Sequence, residues 1–486
     1  MRRIYFSDKD TFLTNRKISG IPSVSASLGQ ASSFDIFKIV EDDGSIDQSV
    51  GLIHFDTEDL KDLFSSGKIK IDDPSFFCEI VLKDVYGGQP CPREFYMTVS
   101  PLSMSFDEGL GKDNVYYLDN DVANFISSSR TTAWHGQGAS ISGSVETGDC
   151  DYFGTLLEQD LGREVYFEKG EENLILDVTH IVSATLAGFL PDSGYRFSLS
   201  QQHLDDEYTY FVKRFGTRHA YDQNYRPVLR VGFDDSIQDT SGIVRFNTTT
   251  DVFLYSRNNF GPANLLSGSS QITGSNCLLL SLSSSYGDYT FTGSQYQTKS
   301  GIIKDGTYVA TVDIPLTQNM LPPLQASGSV KFLQQWKSLD ESVIYSTSYN
   351  SILPINTVTS SDLPNYTVNV YGIPKEIKRT DSVVARVNVF DSMAPQLKSI
   401  RSAVDSPSVP ATKGYYSIRN AYTGERIVDY DDVKDTTRLS LDAKGPYFVL
   451  DGMCLNPGSS YAIDVMLYDG EAKTKYSDVS AIFRVV

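Results

Sequence analysis

The side chains best suited to metal binding or acid–base chemistry are the five histidines, and they are too widely spaced for a local site. No two of them lie within four residues of each other, so the sequence has no H-x-x-x-H pair for a metal ion. His54 falls in an alternating segment and is interpreted as a packed or outward strand residue, whereas His180 and His203 are predicted at the surface. The histidines therefore predict neither a metal site nor a general base.

Acidic residues gather in short clusters that could supply oxygen ligands to calcium. The run most similar to a calcium loop is EDDG at 41–44. Its spacing differs from the D-x-D-x-D-G pattern, so these residues are interpreted as solvated acids in a turn. The two catalytic carboxylates of a glycosidase come together only in the folded chain. The sequence has 61 acidic residues, so it does not exclude a glycosidase. No nucleophile elbow, phosphate-binding loop, dinucleotide-binding glycine motif or H-E-x-x-H motif occurs. We predict no catalytic residue, no metal site, no cofactor and no enzymatic activity.

One segment combines an aromatic residue, a histidine and glycines, namely WHGQG at 134–138. It lies within 105–155, a stretch without clear hydrophobic periodicity. We predict that this stretch is a long loop that binds a ligand or contacts a neighbouring subunit. An exposed tryptophan is a favoured anchor for a partner or a sugar, so Trp134 and His135 are the candidate partner contact. The alternative is a loop tryptophan that folds back onto a sheet.

Composition narrows the classes of partner. Lys and Arg number 42 against 61 Asp and Glu, which gives a formal charge of −19 and a surface that repels phosphate. The densest basic cluster is interpreted as the outward charged faces of an edge strand, and we predict no direct nucleic-acid contact; its members are Lys213, Arg214, Arg218 and Arg226.

The five cysteines are scattered and odd in number, with no C-x-x-C pair, which predicts buried free thiols in a reducing compartment. The first residues, MRRIYFSDKD, lack the apolar run of a signal peptide, and no segment approaches the roughly 20 apolar residues of a membrane span. We therefore expect synthesis in the cytosol and no membrane insertion.

Most of the secondary structure of the chain is predicted to be β-strand. The chain has 29 Tyr against 2 Trp, which suits sheets with one wet face. Helices are predicted only at 57–65 and 178–186, while 208–234 is predicted to form two exposed strands around a polar loop. Seven further strands are predicted before it, at 33–40, 49–56, 76–84, 94–101, 164–168, 174–178 and 194–200.

Taken in order, several strings in this first section resemble the jelly-roll module known as DNRLRE. They are VGLIHFD, EFYMTVSPLSMSFDEGLG, LDVTHIV, GYRFSLS, and FVKRFGTRH followed by RPVLRV. The sequence departs from that family at Thr185 and Phe106, where tryptophan is the commoner residue. The resemblance implies a jelly-roll sandwich over 1–238 and supplies no catalytic residue.

Beyond Asp239 the composition shifts to Ser, Thr, Gly and Asn, with strands at short intervals that are typical of an immunoglobulin-like sandwich over 239–362. Its predicted strands are 243–246, 251–255, 277–282, 289–292, 306–314 and 328–336, and LPPL at 321–324 is predicted as a turn or an edge. A second sandwich is predicted over 363–486, with strands at 365–371, 382–390, 415–419, 438–442, 447–451, 461–468 and 481–486. The predicted fold class is all-β, a jelly roll followed by two immunoglobulin-like domains.

The closing string TRLSLDAKGPYFVLDGMCLNPGSSYAIDVMLYDG resembles the last module of virion proteins from marine tailed phages. This resemblance implies a structural component of a tailed-phage virion, at the neck, collar or tail, that is synthesised in the host bacterial cytoplasm. It further implies that the component docks to other virion proteins and forms a homo-oligomeric ring or array. An adhesin or fibre protein that binds a receptor or a host glycan is the alternative, and a glycan depolymerase with carboxylates about 5–10 Å apart is a third possibility. Exposed aromatic rings on one open surface would favour the adhesin.

Overall fold

The computed structural model describes residues 1–85, 91–112, 122–241, 244–259, 261–298, 301–354, 366–391, 413–442, 444–469 and 472–486. Antiparallel strands dominate its regular structure, and the predicted all-β fold class is confirmed. The chain divides into an N-terminal unit, Arg2–Ser66 with Phe76–Gly232, and a C-terminal unit, Met1 with Gly67–Ser75 and Phe233–Val486. The three-domain division stays a prediction, and its second boundary, at 362–363, lies outside the described residues.

The N-terminal unit is built mainly from strands, with three α-helices among its described residues. The helices are α1 (Glu58–Ser65), α2 (Thr179–Leu186) and α3 (Gln201–Asp205). The strands are β1 (Arg2–Thr14), β2 (Lys17–Ile18), β3 (Ile21–Pro22), β4 (Ser33–Val40), β5 (Ile46–Phe55), β6 (Phe77–Leu82), β7 (Phe95–Pro101), β8 (Ser142–Ser144), β9 (Tyr152–Leu156), β10 (Gln159–Asp160), β11 (Arg163–Phe167), β12 (Leu174–Asp177), β13 (Tyr195–Leu199), β14 (Tyr210–Gly216) and β15 (Val228–Gly232).

Strand β1 connects the sheets of this unit. Its first residues pair with β15 and its last residues pair with β5, and the register shifts at Asp8. A bulge of this kind bends a strand and lets it pass from one sheet to another. The strand order is β11-β7-β13-β5-β1-β15-β6-β12, with β4 bonded to β5 and β14. Phe34 on β4 packs against Phe197 on β13 and Phe215 on β14, with ring centroids 6.4 and 5.5 Å apart.

Two predictions for this unit are wrong because buried ion pairs and hydrogen bonds draw polar side chains inward. Lys213 is fully buried, and its Nζ lies 2.5 Å from Asp84 Oδ1, so it is not an outward edge residue. Arg214 forms two hydrogen bonds to the Asp35 carboxylate, at 2.6 and 2.7 Å. His203 is 7% exposed rather than a surface residue. Strand β8 and all but the last residue of β9 also lie within the stretch that is predicted to be loop.

The first part of the C-terminal unit is a two-layered sandwich with α4 (Leu321–Ser327). The order β16-β23-β22-β21-β24-β25 bends at β22, whose first half pairs with β21 and second half with β23. The LPPL run forms α4 rather than a turn, with proline in the first helical turn, where the missing N–H does no harm. The strands are β16 (Thr250–Tyr255), β17 (Arg257–Asn258), β18 (Gly261–Pro262), β19 (Leu266–Ser267), β20 (Ser270–Gln271), β21 (Leu278–Ser284), β22 (Gly287–Gln297), β23 (Ile303–Val312), β24 (Val330–Lys337) and β25 (Ile344–Ile352).

The remainder of this unit is a second sandwich, with sheets β26-β28-β32-β31 and β27-β35-β33-β29-β30. Its core joins both layers, and Tyr416 stacks on Phe448 with centroids 4.3 Å apart. The strands are β26 (Tyr366–Tyr371), β27 (Glu376–Ile377), β28 (Ser382–Asp391), β29 (Gly414–Asn420), β30 (Arg426–Val428), β31 (Ser440–Asp442), β32 (Gly445–Asp451), β33 (Ser460–Asp469), β34 (Ala472–Tyr476) and β35 (Phe483–Val485).

Candidate functional site

Two half-exposed tyrosines stand side by side on the outer surface of the N-terminal unit. Strands β7 and β11 pair antiparallel, with Tyr96 directly opposite Tyr166 and Phe95 opposite Phe167. Because successive side chains of a strand point to opposite faces, the phenylalanines are fully buried while the tyrosines are 40% and 48% exposed. The tyrosine centroids are 4.9 Å apart, which is contact distance for a cross-strand aromatic pair.

Carboxylates flank this pair, one on β11 and two just beyond the ends of the two strands. Glu164 lies two residues before Tyr166, and Glu168 lies two residues after it. The Glu94 N–H donates to the Glu168 carbonyl, and so brings a third exposed acidic residue into the ladder with a positive φ of 55°. Partial burial and the negative charges of Glu94 and Glu168 raise the pKa of the Tyr166 hydroxyl. We call the surface formed by Glu94, Tyr96, Glu164, Tyr166 and Glu168 the tyrosine face.

A series of stacked and hydrogen-bonded side chains lies behind Tyr96 and supports the tyrosine face. The His203 ring lies nearly parallel to the Tyr96 ring, 6.1 Å away, and its Nδ1 is 2.7 Å from the Tyr210 hydroxyl oxygen. Tyr210 donates to Asp206 Oδ2 at 2.6 Å, and the Lys38 ammonium lies 3.0 Å from the other oxygen of that carboxylate. Since Lys38 is fully buried, this series of contacts runs from the Tyr96 ring at the surface into the interior.

The charges of these supporting side chains favour a fixed arrangement of their hydrogen bonds. Burial raises the pKa of Asp206, but hydrogen bonds from Tyr210, the Tyr208 amide and Lys38 lower it to about 2. Burial and the hydrogen bond to Asp206 raise the pKa of Tyr210. The carboxylate therefore stays charged and the phenol stays protonated over the physiological range, which preserves the hydrogen bonds behind Tyr96.

The arrangement is suited to recognition. Tyrosine rings offer apolar area at low entropic cost and a hydroxyl that can hydrogen-bond, which is why they are enriched at interfaces. Their faces also stack on sugar rings or attract cations, and the flanking carboxylates add hydrogen-bond acceptors. The tyrosine face is thus able to hold a protein surface or a polar ring ligand.

The predicted contact residue Trp134 lies in the interior. Its side chain is 6% exposed and packs with Leu13, Phe106 and Phe125, while its Nε1–H donates to the Asn124 carbonyl at 2.9 Å. The indole therefore fills the core of the long segment, and its ring offers no face to a partner in this structure.

The other predicted contact residue, His135, has a side chain that is 40% exposed. The buried Asp151 carboxylate accepts hydrogen bonds from the backbone amides of His135, Gly136 and Ile141, at 2.6, 2.9 and 2.9 Å. These bonds fix the loop and leave the imidazole at the surface. A partner contact at these two residues stays a prediction, and neither belongs to the tyrosine face.

Charged residues elsewhere in the N-terminal unit form a second polar cluster around His54. Its Nδ1 lies 2.6 Å from Asp8 Oδ1 and its Nε2 lies 3.6 Å from Asp192 Oδ1. Burial lowers the pKa of His54, but the two carboxylates outweigh it and raise the value to about 9. Among the residues that the structure describes, no group of three or more His, Cys, Asp or Glu side chains is placed to hold a metal ion.

The sequence predicts strands at 94–101 and 164–168 but not their pairing, so it does not reveal the tyrosine face. A usable signal was present, since both strings place Tyr next to Phe, in EFYM and VYFE. That pattern predicts one aromatic residue on each side of a sheet. Only the register, which depends on tertiary structure, brings the two tyrosines together.

Comparison with known proteins adds little to this picture. No protein-family profile and no curated protein matches the chain. Among solved structures, the D00–D0 domain of intimin is 8% identical, with a TM-score of 0.14 over 50% of this chain and 96% of its own. The first three fibronectin domains of chicken CNTN1 are 11% identical, with a TM-score of 0.16 over 60% and 82%.

Three N-terminal domains of the highly immunogenic outer capsid protein (Hoc) of bacteriophage RB49 are also 11% identical, with a TM-score of 0.14 over 58% of this chain and 84% of that one. TM-scores this low carry no argument about function, and the fold class is argued from the chain's own strands. No helix among the described residues is long and apolar enough to cross a membrane.

Proposed function

We propose that the chain is a structural component of a tailed-phage virion, at the neck, collar or tail, and that the tyrosine face docks its N-terminal unit to a neighbouring virion protein. The observation that carries the proposal is the exposure of Tyr96 and Tyr166 on regular strands, with Tyr96 supported by His203. Two preorganised aromatic rings lose little entropy on binding, so they can anchor an interface without a loop having to fold.

Other features agree with this role. The closing string of the sequence resembles modules of marine tailed-phage virion proteins, which supports the virion as the location. All five cysteines are free thiols, as suits a chain that is folded in a reducing cytoplasm before release. The proposed role requires no catalytic step and no cofactor, only surfaces that fit neighbouring subunits.

A second candidate function uses the same face. In an adhesin, Tyr96 and Tyr166 would stack on the rings of a host glycan, and Glu164 and Glu168 would accept hydrogen bonds from sugar hydroxyls. The observation that favours it is that both rings are open on the isolated chain. An assembly protein would cover these rings in the particle, whereas an adhesin would leave them free.

One pair of variants separates the two candidates. The double variant Y96A/Y166A is introduced into the phage, with Y221A as a matched control because Tyr221 is fully exposed elsewhere in the same unit. For a docking face, we expect at least a tenfold loss of the chain from purified particles by quantitative mass spectrometry, with Y221A at the wild-type level.

Normal copy number combined with lost adsorption to host cells would support the adhesin instead. If both incorporation and adsorption stay at the wild-type level, the tyrosine face has neither role. Circular dichroism of the purified variant shows whether the chain is folded, so that a loss of incorporation is not mistaken for misfolding.

A further inference from the structure

Strand β25 is an edge that the sandwich leaves open. It is the terminal strand of the order β16-β23-β22-β21-β24-β25, and among the described residues no strand pairs with its other side. Near its C-terminal end, the Asn350 side chain donates to the Ser241 carbonyl, and just beyond that end Leu353 bonds to Val244 and Phe246, so the open part of the edge is its N-terminal and central part. Ile344 is 52% exposed and Tyr349 is 74% exposed. An open edge of this kind presents unpaired backbone donors and acceptors to another chain.

The sequence of β25, IYSTSYNSI, contains no charged residue. Other terminal strands of this protein carry charges that discourage strand addition: β11 has Arg163 and Glu164, and β34 has Lys473 and Lys475. Strand β26 is also uncharged, but the Val370 amide on it donates to the Val479 carbonyl at 2.6 Å. Strand β25 is therefore a long edge that, among the residues the structure describes, lacks such protection.

The net charge of the chain limits where a second copy can make contact, and β25 is a place where it can. At −19, two copies of this chain repel each other over most of their surfaces. Contact along β25 opposes only Ser, Thr, Tyr, Asn and Ile side chains, so a second copy meets no like charge there. A neutral strand that is open at its edge is compatible with its own copy.

The backbone direction defines how two copies would meet. Leu353 directs its N–H and C=O away from β24, toward Val244 and Phe246. Because backbone groups alternate with a period of two residues, those of Thr347 and Tyr349 also point to the open side. In an antiparallel pair related by a two-fold axis at Ser348, Thr347 of each copy then bonds to Tyr349 of the other.

We propose that β25 pairs antiparallel with β25 of a second copy of this chain, about a two-fold axis at Ser348. The pairing rests on the proposed assembly role but uses a different unit and a different surface from the tyrosine face. It makes a continuous sheet across two sandwiches, since β24 and β25 of each copy lie in one ladder. This contact is isologous, as a two-fold interface requires.

Charge substitution at the axis tests the proposal on the purified full-length chain. Light scattering should give twice the 53.9 kDa of one chain for the wild type, and one chain for S348K and for S348E, because each places like charges directly opposite. A mixture of S348K and S348E should recover the dimer. Ser267, exposed on β19 of the same sandwich, supplies the control S267K, which should dimerise like the wild type.

Cysteine cross-linking gives a second measurement. Non-hydrogen-bonded residues opposite each other in an antiparallel ladder lie about 4.5 Å apart at Cα, which suits a disulfide. S348C should therefore form a covalent dimer under mild oxidation, well above the background of the wild type and of S267C.

A monomeric wild type at the highest soluble concentration overturns the proposal, and so does a dimer that S348K leaves intact. A monomeric wild type whose S348K variant is lost from particles would mean that another protein's strand occupies the edge, which also overturns it. These results are independent of the Y96A/Y166A experiment, so failure here leaves the proposed function to its own test.

Discussion

At the scale of single residues, the N-terminal unit holds a histidine in its charged form. His54 sits between Asp8 and Asp192, and Lys61 lies 3.0 Å from the far oxygen of Asp192. The bulge in β1 falls at Asp8, so the irregularity that lets β1 change sheets also positions this carboxylate. Neutralising His54 would leave two carboxylates without their shared cation.

This network makes stability depend on pH. Because the pKa of His54 is about 9 in the folded chain and about 6.5 when unfolded, its stabilisation is complete below pH 6.5 and is lost as the pH rises through 9. We expect the wild type to lose on the order of 2 kcal/mol of unfolding free energy from this group between pH 6.5 and 9.5. Urea denaturation at a series of pH values measures it.

The variant H54Q should be less stable at pH 6.5 and show little of this slope. H180Q is the matched control, because burial lowers the pKa of His180 and moves its titration below this window. Equal slopes for H54Q and the wild type would contradict the assignment.

At the scale of elements, the register of β7 against β11 decides which aromatic residues stabilise the fold and which remain available for binding. Phe95 and Phe167 stack in the core with centroids 4.9 Å apart and planes at 7°. Tyr96 and Tyr166 are their immediate neighbours in sequence but face outward. A shift of one residue would exchange the two sets, so the register is fixed by the cost of exposing phenylalanine.

This difference predicts contrasting effects of two adjacent substitutions. F95A removes a fully buried ring and should cost about 3–5 kcal/mol of unfolding free energy, whereas Y96A should cost about 1 kcal/mol or less. Urea denaturation of the two variants under the same conditions measures the difference. Comparable losses would mean that Tyr96 contributes to the core, and the tyrosine face would no longer be a free surface.

The elements also show what the sequence could predict. Strand β4 was predicted with its observed bounds, 33–40, because its apolar and polar residues alternate. Strand β25 was missed, since Ser, Thr and Asn fill both of its faces and resemble a loop. Its inward positions are polar because Ser346 and Asn350 are only half-buried and Ser348 is exposed. Periodicity is weak where burial is incomplete, and pairing between distant strands leaves no local signal.

At the scale of the whole molecule, charge limits association. The formal charge of −19 opposes contact between copies at low ionic strength, and salt screens this repulsion over distances of about 10 Å at 0.1 M. Strand pairing through uncharged β25 is itself insensitive to salt. The dimer should therefore become tighter as salt is added, unlike one that is held by opposite charges.

We expect the dimer dissociation constant to fall several-fold between low and high sodium chloride in sedimentation experiments on the purified chain. The variant S348K should remain monomeric in the same experiments, because it places like charges directly opposite each other at the axis. A dissociation constant that rises with salt would indicate a contact made by ion pairs, and β25 would not be the interface.

Each compact unit contains one of the two tryptophans, and both indoles are buried. Trp134 is in the N-terminal unit with its Nε1 bonded to a carbonyl, whereas Trp336 is in the C-terminal unit, 1% exposed, with no hydrogen-bond partner for its Nε1 among the described residues. The protein thus carries a separate fluorophore in each half, in environments of different polarity. W134F and W336F convert it into two single-tryptophan chains, whose emission reports the unfolding of one unit at a time.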